Sequence, residues 1–287
     1  MDLQITNCST NHTKCTVDVL QGVAYSFVFL LGFLVNAAAL HAFLSKRNMW
    51  TNTHIYMLNL VVADTALIVF LPFRIYDAFF CLPKTLLCSV LISMHFINMY
   101  ASIWTTAVIS VHRFLLIRFP IQARAWRRKK TTAVVVSLVC WGLLVALCVI
   151  YHDENHPDKL WTCYERVEDK PLTKHFVAIL IVLGFLVPLL ILVLCFSQIV
   201  RILRKAPNRD EMKRVISIIT ANMVVFVLCF TPVHVGFLVN HFNEYLPNWK
   251  CAHPPAHVNF LVSEWIASTN CCFDSISYYF LLKSSYK

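Results

Sequence analysis

Apolar residues in this chain do not alternate with polar ones; they collect into seven near-continuous blocks separated by short polar stretches. The blocks run over 20–44, 55–80, 86–117, 131–151, 175–203, 215–242 and 258–282, each with more than twenty residues. A hydrocarbon layer of about 30 Å is crossed by about 20 helical residues. Backbone groups in lipid must be satisfied within their own segment, so such blocks predict helices. A membrane barrel would instead show shorter alternating segments. The pattern predicts an all-α membrane protein, a bundle of seven transmembrane helices.

Composition agrees. Of 287 residues, 58% are hydrophobic and only 14% charged, where a soluble domain carries about 25% charged residues. The formal charge of +10 is unevenly placed. Lys46 and Arg47, the stretch "RFPIQARAWRRKK", the loop from Arg201 to Arg214, and Lys283 with Lys287 supply 16 of the 25 basic residues on one side of the spans. Basic loops stay cytoplasmic. Seven spans then put the N-terminus outside, together with the acidic loop carrying Asp153, Glu154, Asp158, Glu165, Glu168 and Asp169. Orientation thus accounts for the basic balance, and no nucleic-acid partner is implied. Asn7 in "NCS" and Asn11 in "NHT" are glycosylation sequons, meaningful on an exported tail. No cleavable leader precedes them, so the first span is expected to act as signal anchor. The chain is expected to divide into a glycosylated tail (1–19), a helical domain (20–282) and a short cytoplasmic tail (283–287).

Of the twelve cysteines, Cys140, Cys148, Cys195, Cys229, Cys271 and Cys272 fall within spans and read as small apolar residues. Cys8, Cys15, Cys81, Cys88, Cys163 and Cys251 fall outside or at the outer edge, where disulfides form. Cys88, at the outer start of the third helix, and Cys163, in the acidic loop, are the best-placed pair. A second bridge from Cys8 or Cys15 to Cys251 stays open.

Ionisable residues at membrane depth are functional candidates. Asp64 in the second span and Asp274 in the seventh share a depth with Asn36, Asn98, Ser102 and Asn270. Such an oxygen-rich core suits a small hard cation, Na⁺ with water, or a plain hydrogen-bonded network between helices. Nearer the outer ends lie Arg74 in "LPFRIYD", His95, His234, Glu264, and Lys174, with Arg166 three residues after Cys163. They predict a cationic pocket for an acidic ligand. The plainer alternative pairs Arg74 with Glu264 and lets Lys174 snorkel to the interface.

Taken in order, Asn36 in "GFLVN", "LNLVVAD" ending in Asp64, Cys88, Arg113, Trp141, Pro188, "CFTP" with Pro232 and "DSISY" with Tyr278 give one landmark per helix. The chain resembles the rhodopsin-like (class A) G-protein-coupled receptors over essentially its whole length. "WTNTHIYMLNLVVAD" and "NCCFDSISYYF" are similar to the branch of kynurenic-acid, lysophosphatidylinositol and lysophosphatidic-acid receptors. The resemblance implies a plasma-membrane receptor that binds a lysophospholipid or small aromatic carboxylate and activates a heterotrimeric G protein, of the Gi or G12/13 type. It implies no catalysis and no cofactor beyond allosteric Na⁺ at Asp64, Asn98, Ser102, Asn270 and Asp274. The expected ligand set is Arg74, His95, Phe96, Met99, Arg166, Lys174, His234 and Glu264. Met99 and Asn240 stand where the kynurenate-type receptor has arginines, so that ligand does not carry over. Ser268 stands where an opsin has lysine, and His95 where an amine receptor has an acid. A decoy receptor shares the architecture, whereas a transporter would show inverted repeats and broken helices, which the sequence lacks.

The expected switch couples outer ligand to inner G protein through Phe230 (a tryptophan in most relatives), the kink at Pro232, Asp274, Tyr278, His112 and Arg113. Most relatives place an acid before the inner arginine; His112 cannot supply that carboxylate. Met212 replaces an acidic partner, beside Glu211, and Phe196 a tyrosine. This departure predicts a weakened resting lock and raised basal signalling. In the plainer alternative His112 only caps the helix end.

Overall fold

The structure is a computed structural model. It describes residues 18–45, 51–122, 130–160, 162–164, 170, 172–204, 209–243 and 254–275, with side chains from 216 to 242 in the sixth helix and from 258 in the seventh. Seven principal helices follow in order: α1 (Val19–Ser45), α2 (Asn52–Phe80), α3 (Leu86–Arg118), α4 (Lys130–Ile150), α5 (Lys174–Leu203), α6 (Arg209–Asn243) and α7 (Pro254–Ser268). The first six are long and apolar enough to cross a membrane. After a turn at Thr269, whose N–H reaches the carbonyls of Trp265 and Ile266, the α7 chain resumes its helical path to Ser275.

Their outward faces are apolar. Leu20, Phe27, Leu138, Val149, Leu190 and Phe242 are all well exposed, an arrangement that needs lipid around it. In α4 only Ala133 and Leu144 are buried. Lipid tails are as apolar as leucine, so close packing and interhelical hydrogen bonds hold such a bundle, the latter about 0.6 kcal/mol each on average. The landmark polar residues provide them. Asn36 Nδ2 donates to the Cys271 carbonyl (3.0 Å) and its Oδ1 accepts from Ser275 (2.7 Å), joining α1 to the α7 segment. Trp141 Nε1 donates to Asn59 Oδ1 (2.7 Å), and Asn59 Nδ2 donates to Thr105 Oγ1 (2.9 Å), joining α4, α2 and α3.

Within α5, Lys174–Ile181 and Val187–Leu203 are α-helical, and Val182–Leu186 between them is a π-helical turn. Pro188 lacks the N–H that would bond back to Gly184, which favours this local loosening. Gly184 brings the α5 backbone against α3: a Cβ there would overlap the Tyr100 ring. The largest buried cluster forms here, with Tyr100, Phe185, Phe226, Phe230 and Phe237 at its centre.

On the outer side a disulfide joins Cys88 to Cys163 and packs with Leu91 and Leu160. Cys81, at the end of α2 with φ 52°, is disulfide-bonded as well. The pairing of Cys8 or Cys15 with Cys251 lies outside the described residues, as do Asn7 and Asn11.

Candidate functional site

Three polar centres lie along the bundle axis. The outermost is built on Arg74, which the helical register of α2 turns inward just after Pro72. Its guanidinium pairs with Glu264 of α7 and lies against the rings of Tyr25 (4.4 Å from the centroid) and Tyr164 (4.7 Å). The residue is buried. Of the two sequence readings of Arg74, pairing with Glu264 is the arrangement observed. Two aromatic faces add cation–π attraction to the ion pair. Tyr25 and Tyr164 are additions to the expected site: Tyr25 sits in an apolar run, where an aromatic ordinarily reads as lipid-facing, and Tyr164 in a polar loop with no spacing that ties it to Arg74. Tyr164 lies in the outer loop, and burial pushes its phenol up to about 12, partly opposed by the Arg74 charge. It therefore stays neutral at physiological pH.

The other expected ligand residues are spread over two cavities. His95 and Met99 line a small cavity of about 10 Å³ with Asn98, Ser102, Ser268 and Asn270. Phe96 instead faces an apolar cavity of about 70 Å³ between α3, α4 and α5, whose walls include Tyr100, Trp104, Leu144, Leu147 and Phe176. α4 packs on α2 and α3 but scarcely meets α5. Leu183, exposed on α5, stands at the rim of this gap, so the cavity faces the lipid side of the bundle. His234 is buried and already engaged. Its Nδ1 is 2.6 Å from the Phe230 carbonyl, its Nε2 is 3.3 Å from the Tyr100 hydroxyl, and its ring stacks on Phe185. With Nδ1–H donating to the carbonyl, Nε2 accepts from Tyr100. Lys174 is exposed at the start of α5; Arg166 lies outside the described residues.

The middle centre contains the candidate cation residues. Both carboxylate oxygens of Asp64 and the Ser102 hydroxyl are buried without a hydrogen-bond partner. Asn98 donates to the Ala63 carbonyl, and Asn270 Nδ2 donates to Asp274 Oδ2 at 2.6 Å. A buried carboxylate lacking hydrogen bonds is costly; Asn98, Ser102 and Asn270 line the small cavity, and oxygen donors of this kind suit Na⁺ with water. The donors therefore fit that ion. Asn36 is spent on the α1–α7 link and stands apart from them.

The innermost centre is Arg113, whose Nη2 is buried without a hydrogen-bond partner. His112 turns the other way: its Nδ1 is 3.3 Å from Thr53 Oγ1 and its ring meets Tyr56 edge-on at 5.6 Å. Phe230 is buried and edge-on to Phe226 at 5.3 Å, and Pro232 lies inside α6. Phe196 lines a small cavity with Arg113. Tyr278 and the side chains of Glu211 and Met212 lie outside the described residues.

Comparison with known proteins identifies the family. The family of seven-transmembrane receptors of the rhodopsin type matches residues 35–278. Lysophosphatidic acid receptor 4 of Mus musculus is 33% identical over 301 aligned residues, covering 98% of this chain and 80% of its own. G-protein coupled receptor 35 of Mus musculus is 31% identical, covering 91% of this chain and 85% of its own. G-protein coupled receptor 55 of the same organism is 30% identical, covering 96% and 90%. With seven helices in order, a landmark on each and a match across most of its length, this multi-pass membrane protein belongs to the rhodopsin family of seven-transmembrane, G-protein-coupled receptors and is not an enzyme.

Proposed function

We propose that this receptor responds to an extracellular lysophospholipid and couples to a G protein of the Gi or G12/13 type. The observation that carries the reading is the apolar cavity between α3, α4 and α5, which faces lipid and holds space for a stretch of hydrocarbon chain. A small aromatic carboxylate would leave that space unused. The anionic headgroup would approach from the exposed Lys174 toward His95 and Arg74. Arg74 is neutralised by Glu264 in this structure, so a phosphate must exchange with the Glu264 carboxylate. That exchange would loosen α7 from α2. Binding at this place would therefore favour one arrangement of the bundle over another, as a ligand must to shift an equilibrium. The movement of α6 at Pro232 would then strain the His234–Tyr100 contact and uncover Arg113 for the G protein.

The test is G-protein activation in cells, across a panel of G-protein subtypes, by 1-oleoyl lysophosphatidic acid, oleoyl lysophosphatidylinositol and kynurenic acid. A lysophospholipid response is expected. Leu147→Trp, which fills the cavity, should weaken it at least tenfold. Glu264→Gln removes the competing carboxylate and should lower the half-maximal concentration several-fold. Activity with the aromatic acid alone would overturn the lipid reading, and cell-surface binding without activation would identify a decoy.

Na⁺ is proposed to occupy the middle centre with Asp64, Ser102, Asn98, Asn270 and Asp274, supplying the positive charge that the Asp64 carboxylate lacks. Exchanging K⁺ for Na⁺ at constant ionic strength should raise the thermal midpoint, by roughly 2–4 °C for each ~1 kcal/mol of binding linkage. Asp64→Asn should be indifferent to the exchange; an equal response in that variant would place the ion elsewhere.

A further inference from the structure

Arg113 lacks an acidic neighbour in sequence, and among the described residues it makes no ion pair. A guanidinium withdrawn from water without counter-charge is costly, yet its Nη2 is buried. A cavity of about 20 Å³ beside it contains the remedy. Thr106, Asn222, Asn270 and Asp274 line this cavity together with Arg113, bringing polar groups of α3, α6 and α7 to one space whose remaining wall, Met57 and Phe226 included, is apolar. About 10–15 Å³ is enough to hold a water when several polar groups face it, and this cavity meets both conditions. Asn270 also lines the cavity above, and Asn222 and Arg113 also line a smaller one toward α5. Small cavities, each with some polar side chains in its wall, thus follow one another from His95 to Arg113.

We propose that water in this cavity, held by Asn222, connects Arg113 to the Asp274 carboxylate, which thereby supplies the resting-state counter-charge that His112 cannot. Asp274 Oδ2 accepts from Asn270; a carboxylate offers about four lone-pair sites, so Asp274 has acceptor capacity for this water as well as for the cation. Asn222 is the positioning residue: it stands on α6, the helix whose inner end must move for a G protein to enter. In this structure α3, α5 and α6 close around Arg113 with room for about one water toward α5 (about 10 Å³). Withdrawal of α6 removes Asn222 and opens the cavity to the cytoplasm. The bridge therefore exists in the closed arrangement alone and stabilises it. His112, held on α2 by Thr53 and Tyr56, takes no part. The unusual histidine thus does not leave the arginine unsupported.

Two measurements test this on the full-length receptor in lipid nanodiscs. Met57 lines the cavity and is 3% exposed, so X-ray radiolytic hydroxyl labelling should oxidise it only through water bound beside it. Strong labelling is expected in the wild type, falling several-fold in Asn222→Leu. Agonist-free G-protein activation should rise several-fold in Asn222→Leu and fall below wild type in Asn222→Asp, which places a carboxylate at the same point. Opposite signs from two substitutions at one residue are not expected of a purely structural role. An unlabelled wild-type Met57 would show the cavity dry and end the proposal, as would basal activity that moves in the same direction in both variants. Neither readout depends on the identity of the agonist.

Discussion

Arg74→Ala is expected to be among the most damaging single substitutions in this receptor, costing about 3–5 kcal/mol of stability. The cost arises from what remains. The Glu264 side chain is only 13% exposed, and without Arg74 its carboxylate is left in an apolar surrounding with no counter-charge. Two ring faces, Tyr25 and Tyr164, also lose the cation between them, each contact worth about 0.5–2 kcal/mol. A loss of that size corresponds to a fall in thermal midpoint on the order of 10 °C. Surface expression should fall with it, so a lost agonist response in this variant would not identify a ligand contact. The companion variant, Arg74→Met with Glu264→Gln, removes both charges and should recover most of the loss, because a buried pair is often replaceable by apolar groups of similar volume. Thermal midpoints in detergent of the single and double variants decide the matter. A double variant no better than Arg74→Ala would mean that the rings and not the ion pair dominate.

Much of the bundle was legible because lipid imposes a simple rule on sequence. The apolar blocks at 86–117 and 131–151 become Leu86–Arg118 and Lys130–Ile150. The rule fails where helices leave the lipid: α6 begins at Arg209, well before the apolar block at 215, because charged residues extend a helix freely in water. The π-helical turn of α5 was not anticipated, although Pro188, whose missing N–H favours it, stands in the sequence; a proline inside a span does not by itself say how the helix will adjust. Tyr25 and Tyr164 were missed because their role exists only once α1, α2, α7 and the outer loop converge on Arg74. His112 is a different case. Adjacent residues on a helix point about 100° apart, so His112 facing α2 while Arg113 faces α6 and α7 was legible in principle. Reading the two as a pair because they are neighbours in sequence obscured it. The candidate cation residues were placed at one depth by sequence, but only the packing reveals that Asn36 is spent elsewhere while both Asp64 oxygens remain unbonded.

Cys163→Ser is expected to lower stability by about 2–5 kcal/mol and to weaken the Arg74 centre at a distance. The bond to Cys88 spans 75 residues of sequence, so its loss releases a long stretch of the denatured chain. It also frees the loop end that carries Tyr164. Cys88 and Cys163 are buried with Leu91 and Leu160, and Tyr164 packs against this cluster while its ring covers Arg74. Disulfide and cation–π contact therefore act through one short segment. Their removal should be less than additive: once Cys163→Ser has released the loop, Tyr164→Leu should cost little more. In the wild-type background Tyr164→Leu should cost about 1–2 kcal/mol. Tyr164→Phe should cost little, because the ring face and not the phenol covers the guanidinium. A double-mutant cycle on thermal midpoints, with surface expression measured alongside, reads this coupling directly. Full additivity of Cys163→Ser and Tyr164→Leu would show that the disulfide braces the outer face independently of Arg74. Strong coupling would make the outer loop part of the same latch that the ligand must open.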